Sequence, residues 1–378
     1  MPEHPTHDLS APLAQPLAPG ATIGILGNGQ LGRMAALAAA RLGYRCHAYG
    51  PEADAPANQV CDAATVAAYD DEAALAGFAA AVDVVTFEFE NIPLTTVKVL
   101  EKLVPLRPSA QVLSICQHRL REKEFCRAAS VPTADYRPAE DLDSLRQAVE
   151  EIGTPCILKS AELGYDGKGQ VRIAADSDLE EAWNAMRGHA APSSSQRAIG
   201  IVEAVVEFRM EISVIVARGA DGTTRTYVPV ENRHKNHILD ETIAPANLAE
   251  EVSDRAEAIA RHLAQEMDLV GLLAVEMFVT HDNKVLVNEM APRPHNSGHW
   301  TIDACVTSQF EQFVRAVAGL PLGSTERLCD AVMKNLLGDE ADDWKKILGD
   351  PGNKLHLYGK ASARPGRKMG HVTRLIRR

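Results

Sequence analysis

Residues 272–279 and 284–290 are two strand-like apolar runs separated only by a turn at His281, Asp282 and Asn283, a pattern that folds as an antiparallel hairpin. A two-residue loop at Asp282 and Asn283 would pair His281 with Lys284, and counting back along both strands sets Glu276 opposite Glu289. Opposed side chains on such strands have Cβ atoms about 5 Å apart, where two carboxylates repel by about 3 kcal/mol at an intermediate dielectric. The pair persists only if one acid keeps a proton or a cation lies between them. So few oxygen ligands suggest magnesium held jointly by the protein and by phosphate oxygens. Exposed acids in another register are the alternative.

Ordered structure is expected to begin at residues 22–26, an apolar β-branched run ending in Gly27-Asn28-Gly29-Gln30-Leu31-Gly32. An alanine-rich helix through Leu42 and a second strand at 45–49 follow. A further buried strand at 81–87, after the amphipathic stretch 71–80, makes residues 21–118 a doubly wound α/β domain. From Pro155 the chain reads as strands joined by glycine-bearing turns and interrupted by long helices, an α+β texture. The main helix, 250–268, carries Val252, Ala256, Ile259, Leu263 and Met267 on one stripe. Residues 187–196 read as a flexible surface loop.

A chain of 378 residues suffices for two or three domains, and a net charge of −12 argues against nonspecific binding to nucleic acid or to an anionic membrane. Small-molecule partners are expected instead. Seven cysteines without a CxxC pair read as reduced, buried thiols of a cytoplasmic protein. No run approaches a membrane span. Residues 1–20 carry five prolines, no Lys or Arg and no apolar stretch, so they read as a disordered tail rather than a signal or transit peptide.

The loop Gly27 to Gly32 has the GxGxxG spacing between strand and helix that binds dinucleotides. No acid stands cleanly at the tip of the second strand to hold a ribose, however, so the loop either receives some other anion or merely permits tight packing. Between strands 156–159 and 171–173, the segment Gly164 to Gln170 has three glycines in six positions flanked by Lys159 and Lys168, a composition that lets amides approach a polyphosphate. Glu203 ends an apolar strand where adenine and ribose contacts are feasible, whereas Glu207 reads as a surface acid. Residues 288–300 gather Glu289, Arg293, His295, Asn296 and His299, with Pro292 and Pro294 holding the segment extended and aiming Arg293. Residues 360–378 contain seven basic side chains and no acid, and Arg367 and Lys368 on a Pro-Gly turn suit a substrate phosphate. Arg377 and Arg378 read as a solvated end.

In this order, Gly27 to Met34, Phe87-Glu88-Phe89-Glu90-Asn91, Gly164 to Gln170, Asn288 to Trp300 and Arg364 to His371 resemble the ATP-grasp superfamily. Within it, residues 22–372 resemble the 5-(carboxyamino)imidazole ribonucleotide synthases. The resemblance implies an ATP-grasp fold with an N-terminal Rossmann-like preATP-grasp domain (21–118), a mobile lid (119–203), a C-terminal lobe with a metal site (204–310) and a substrate-phosphate-binding region (311–378). Homodimers are implied as well. The implied reaction is ATP-dependent carboxylation of 5-aminoimidazole ribonucleotide by bicarbonate, through carboxyphosphate, in purine biosynthesis.

Carried over by position, Arg119, Lys159, Gly164, Tyr165, Asp166, Gly167, Lys168, Gly169, Gln170, Glu203, Ala204, Val205, Val206, Glu211, His234 and Asn288 would hold ATP. Glu276 and Glu289 would hold Mg2+. Gln30, Glu90, Lys360, Arg367 and Lys368 would surround the ribonucleotide. Arg293, His295 and Asn296 would bracket bicarbonate, and Tyr165 or Asp166 would orient or deprotonate the amine. The superfamily's usual Asn, two positions after the second metal carboxylate, is Ala291 here, so no third side-chain ligand is expected. The competing readings are a formate-dependent glycinamide ribonucleotide transformylase, an NAD(P)-dependent oxidoreductase built on Gly27 to Gly32, and a nucleotide-binding regulatory module without turnover.

Overall fold

A computed structural model describes residues 15–162, 169–188 and 200–376. Of the residues singled out above, Gly164 to Lys168, most of the 187–196 stretch, Arg377 and Arg378 lie outside these.

Strands β1 (Thr22–Leu26), β2 (Arg45–Gly50), β3 (Ala63–Val66) and β4 (Val84–Phe87) form a parallel sheet in the order β3-β2-β1-β4. β1 and β4 are almost wholly buried apolar runs, as a sheet covered on both faces requires. Strand order reverses between β1 and β4, so their carboxyl ends open onto the crevice where such sheets place ligands. The loop from Gly27 and the segment from Glu88 both start there.

β5 (Tyr136–Ala139), β6 (Cys156–Ser160), β7 (Gln170–Ile173) and β8 (Gly200–Ala204) form a small antiparallel sheet in the order β5-β8-β6-β7. The helices Leu142–Ile152 and Leu179–Arg187 back it, packing Leu145, Trp183 and Met186 against Leu158 and Val202.

The third sheet has nine strands: β9 (Phe208–Arg218), β10 (Thr224–Thr226), β11 (Val230–Lys235), β12 (Ile238–Ala244), β13 (Gly271–Thr280), β14 (Val285–Ala291), β15 (Asp330–Leu337), β16 (Asn353–Leu357) and β17 (Lys368–Ile376). They run β14-β13-β9-β11-β12-β15-β17-β16, with β10 beside β9. The helix Glu250–Glu266 buries Val252, Ala256, Ala260 and Leu263 against it. Ile259, expected on that stripe, is only half-buried, because the seam follows 252, 256, 260, 263 and 267.

Two expectations are corrected. The end of the supposed disordered tail is tied down: Leu17 N–H donates to Ala318 O at 2.9 Å, and Tyr44 Oη donates to Leu17 O at 2.7 Å. The hairpin loop is also one residue longer than expected. Thr280 pairs with Lys284 around His281, Asp282 and a left-handed Asn283 (φ 62°), the three-residue loop geometry. That shift alone would separate the two acids, but a bulge at Asn288 restores the count, so Met277 faces Val287 while Glu276 faces Glu289.

Candidate active site

All three sheets contribute to one cleft of about 940 Å³. The carboxyl end of β4 and its neighbouring loop supply Glu90 and Gln30, and the helix Arg119–Ala128 supplies Arg119 and Glu122. Lys159 and Gln170 come from the small sheet. Glu211, His234, Glu276, Asn288 and Glu289 come from the large one, Arg293, His295 and Asn296 from the loop after β14, and Lys368 from the start of β17.

The opposed carboxylates relieve their repulsion within the chain. Glu276 takes His295 Nε2 at 3.0 Å and Glu289 takes Arg119 Nη1 at 3.0 Å. Burial alone would push the Glu276 carboxyl up, but His295, His234 and Lys368 outweigh it and hold the group below its ordinary value. His234 Nδ1 meets Glu211 at 2.5 Å; burial opposes its charge, and the acids overcome this and raise its pKa. The Asn288 bulge adjoins Glu289, and its side-chain Oδ1 is buried with no partner among the described residues. Lys123, itself buried, pins the bulge by donating to Asn288 O at 2.9 Å.

Arg293 is gripped bidentately by Glu90, Nη2 donating to Oε1 at 2.8 Å and Nε to Oε2, while Nη1 donates to Pro294 O. Among the described residues, three of its five N–H groups are thus engaged and two are not. Burial disfavours both charges, yet the pairing lowers the Glu90 pKa and raises that of Arg293. His295 is fixed by Gln309, which accepts from its N–H at 2.9 Å and donates to its carbonyl at 2.8 Å. Asn296 and Asn335 exchange two amide hydrogen bonds, of 2.9 and 2.6 Å. His299, by contrast, is wholly buried against Gln309, outside the cleft.

Several expected ligands stand outside the cleft lining. Glu203 does not line the cleft; Lys159 Nζ at 2.8 Å and Lys123 Nζ at 3.8 Å face its carboxylate. Desolvation raises its pKa, and the two ammonium groups bring it down to about 2. Ala204, Val205 and Val206 are likewise absent from the lining. Lys360 donates to Lys368 O at 2.6 Å and Arg367 to Ser362, so both brace the 360–368 loop, and of the three only Lys368 lines the cleft. Gly169 sits in a left-handed turn (φ 71°) whose carbonyl accepts from Ser160.

The glycine loop is filled from within. Glu88 accepts from Gly29 N–H through Oε1 and from Gly32 N–H at 2.6 Å through Oε2. Its carboxylate stands where a dinucleotide would put its pyrophosphate, which removes the oxidoreductase reading. Glu122, Lys123, Gln309 and Asn335 were not singled out from sequence, and Glu88 only as a member of the Phe87 to Asn91 segment with no role of its own; each acts on a partner outside its own element, which no local pattern announces.

Three family models match: the ribonucleotide synthetase preATP-grasp domain over residues 20–117, the ATP-grasp domain over 124–310 and the phosphoribosylaminoimidazole carboxylase C-terminal domain over 331–377. The chain is 47% identical to an N5-carboxyaminoimidazole ribonucleotide synthase of Brucella melitensis, covering 95% of this chain and 97% of the relative. It is 48% identical to a bifunctional purine synthesis protein of Dictyostelium discoideum, of whose length it spans only 38%. Among solved structures, an ADP complex of an N5-carboxyaminoimidazole ribonucleotide synthetase superposes with a TM-score of 0.91 at 45% identity, covering 97% of this chain and 95% of the other. An Aspergillus clavatus synthase with ADP and 5-aminoimidazole ribonucleotide gives 0.86 at 30% identity, covering 95% and 94%. With this arrangement of cleft, carboxylate pair and basic C-terminal strand, the chain belongs to the N5-carboxyaminoimidazole ribonucleotide synthase family of ATP-grasp ligases.

Proposed function

We propose that this chain joins bicarbonate to the exocyclic amine of 5-aminoimidazole ribonucleotide, converting ATP to ADP and phosphate. Bicarbonate oxygen attacks the γ-phosphoryl group to give carboxyphosphate. The amine then attacks its carboxyl carbon, phosphate leaves, and a proton is lost from nitrogen. The observation that carries this reading is the cleft wall where Arg293, His295 and the Glu276–Glu289 pair converge.

Arg119 and Lys159 suit the nucleotide phosphates, with Gln170, Glu211, His234 and Asn288 around them. The two remaining N–H groups of Arg293, held in direction by Glu90, suit the oxygens of bicarbonate and of the transferring phosphoryl group. Gln30, Glu90 and Lys368 suit the ribonucleotide. Opposed carboxylates beside an amide oxygen that has no partner among the described residues form an all-oxygen set that fits Mg2+, with Glu276 and Glu289 as its ligands. A bound cation there would offset phosphate charge during transfer. Tyr165 and Asp166, outside the described residues, remain our candidates for handling the amine proton. We further propose a cytoplasmic homodimer; among the described residues no helix is long and apolar enough to cross a membrane.

The test is ADP release with magnesium-ATP and bicarbonate, with and without 5-aminoimidazole ribonucleotide. Strong stimulation by the ribonucleotide is expected, with formate unable to replace bicarbonate. Glu289→Gln should lower kcat by about a hundred-fold or more, through loss of a metal carboxylate. ADP release indifferent to the ribonucleotide would defeat the proposal.

A further inference from the structure

Glu88 occupies an unusual place. A carboxylate from the end of β4 is seated in the amide cradle at the N-terminus of the twelve-residue helix Gln30–Arg41. Two N–H groups and the helix dipole favour an anion there. The loop is built around this one: a Cβ on Gly29 would lie 2.5 Å from Glu88 Oε1, and one on Gly27, at φ +92°, would lie 2.5 Å from Glu88 Cγ. The carboxylate is buried, which pushes its pKa up, and the Gly32 and Gly29 N–H groups together with the nearby Arg293 guanidinium oppose that rise. Its two anchor points flank cleft-lining residues on both sides: Gln30 and Leu31 lie between Gly29 and Gly32, and Phe89 and Glu90 follow Glu88.

We infer that Glu88 is a positioning residue: as the resident anion of the glycine loop, it ties the first turn of that helix to the end of β4 and so sets Gln30 against Glu90. The glycine loop is therefore not a phosphate site for either substrate. The consequence for the ribonucleotide rests on the proposed function; the resident anion itself does not.

Glu88→Ala vacates the cradle, and formate then serves as a free carboxylate to refill it. The expected result is a rise of about ten-fold or more in KM for 5-aminoimidazole ribonucleotide, with the ADP dissociation constant within about two-fold of wild type. Millimolar formate, but not chloride at equal ionic strength, should lower that KM and raise the melting temperature of Glu88→Ala alone. Isosteric Glu88→Gln turns an amide N–H toward a backbone N–H; it should raise the same KM and ignore formate, because no space is open. A Glu88→Ala protein with wild-type KM, or with neither KM nor melting temperature responsive to formate, overturns the inference. If Glu88→Ala fails to fold, Glu88→Gln decides, and an unchanged KM there overturns it. Should wild type fail to use the ribonucleotide at all, formate-dependent melting still tests the resident anion.

Discussion

Glu203, the penultimate residue of β8, has Lys159 and Lys123 against its carboxylate, all three buried. Its folded pKa is depressed from 4.5 to about 2, so the pairing contributes fully above the unfolded value and is lost as pH falls through the folded one. The contribution above pH ~5 is on the order of 3 kcal/mol, fading between about pH 5 and pH 2. Glu203→Gln removes it and leaves two buried ammonium groups without a counter-ion, an expected loss of about 3–5 kcal/mol at neutral pH. Urea unfolding across that window should show the wild type losing its advantage as pH falls, the curves converging in acid; parallel curves would mean that the lysines do not hold the carboxylate ionised. From the sequence, Glu203 was legible as a special acid at a strand end. Its orientation was not, because Lys123 lies on a helix eighty residues earlier and reaches it only in the folded chain.

Hairpins show how far local pattern carries at the scale of elements. Glu276 does face Glu289, as strand alternation requires, but by way of a longer loop and a compensating bulge that no counting rule supplies. The bulge has chemical content: it sets Asn288 in the cleft lining with its Oδ1 buried, and it is itself held by Lys123. The β11–β12 hairpin carried no sequence signal, since its two-residue loop is Asn236-His237 rather than Asn-Gly. Both residues adopt left-handed backbone, φ 51° and 63°, where glycine at the second position is preferred. His237 lines the cleft, 3.5 Å from Gln170 of the small sheet. His237→Gly relieves a left-handed strain of about 1–2 kcal/mol and gives back part of it as unfolded-state entropy, so unfolding free energy should stay level or rise by up to about 1 kcal/mol. Chemical denaturation checks this; a loss beyond about 1 kcal/mol would show that the imidazole carries packing that outweighs the strain.

Across the whole molecule, the parallel N-terminal sheet and the helix stripe were legible because each rests on near-neighbour periodicity, and five of the seven cysteines are buried as expected while Cys61 and Cys329 are only half-buried. The joints between regions were not legible. One such joint is the strap at residues 15–20, composed like a tail but bonded on two sides: Leu17 N–H to Ala318 O and Leu17 O to Tyr44 Oη. Ala318 ends the helix Gln309–Ala318, which packs Phe310, Phe313 and Val317 into the same core as Leu31 and Ala35 of Gln30–Arg41. Gln309, the first residue of that helix, holds His295 in the cleft. Deleting residues 1–20 removes both Leu17 hydrogen bonds and that from Gly20 N–H to Gly43 O, leaves Tyr44 Oη without its acceptor and uncovers apolar surface beside Leu17. The expected loss is roughly 2–4 kcal/mol of unfolding free energy. Because Gln309 grips His295 from the opposite end of that helix, the ADP dissociation constant should stay within about two-fold. Calorimetric melting with an ADP titration separates the two effects. An unchanged melting temperature would reduce the strap to a surface contact, and a large loss of ADP affinity would mean that the helix transmits its docking to the cleft as a rigid body.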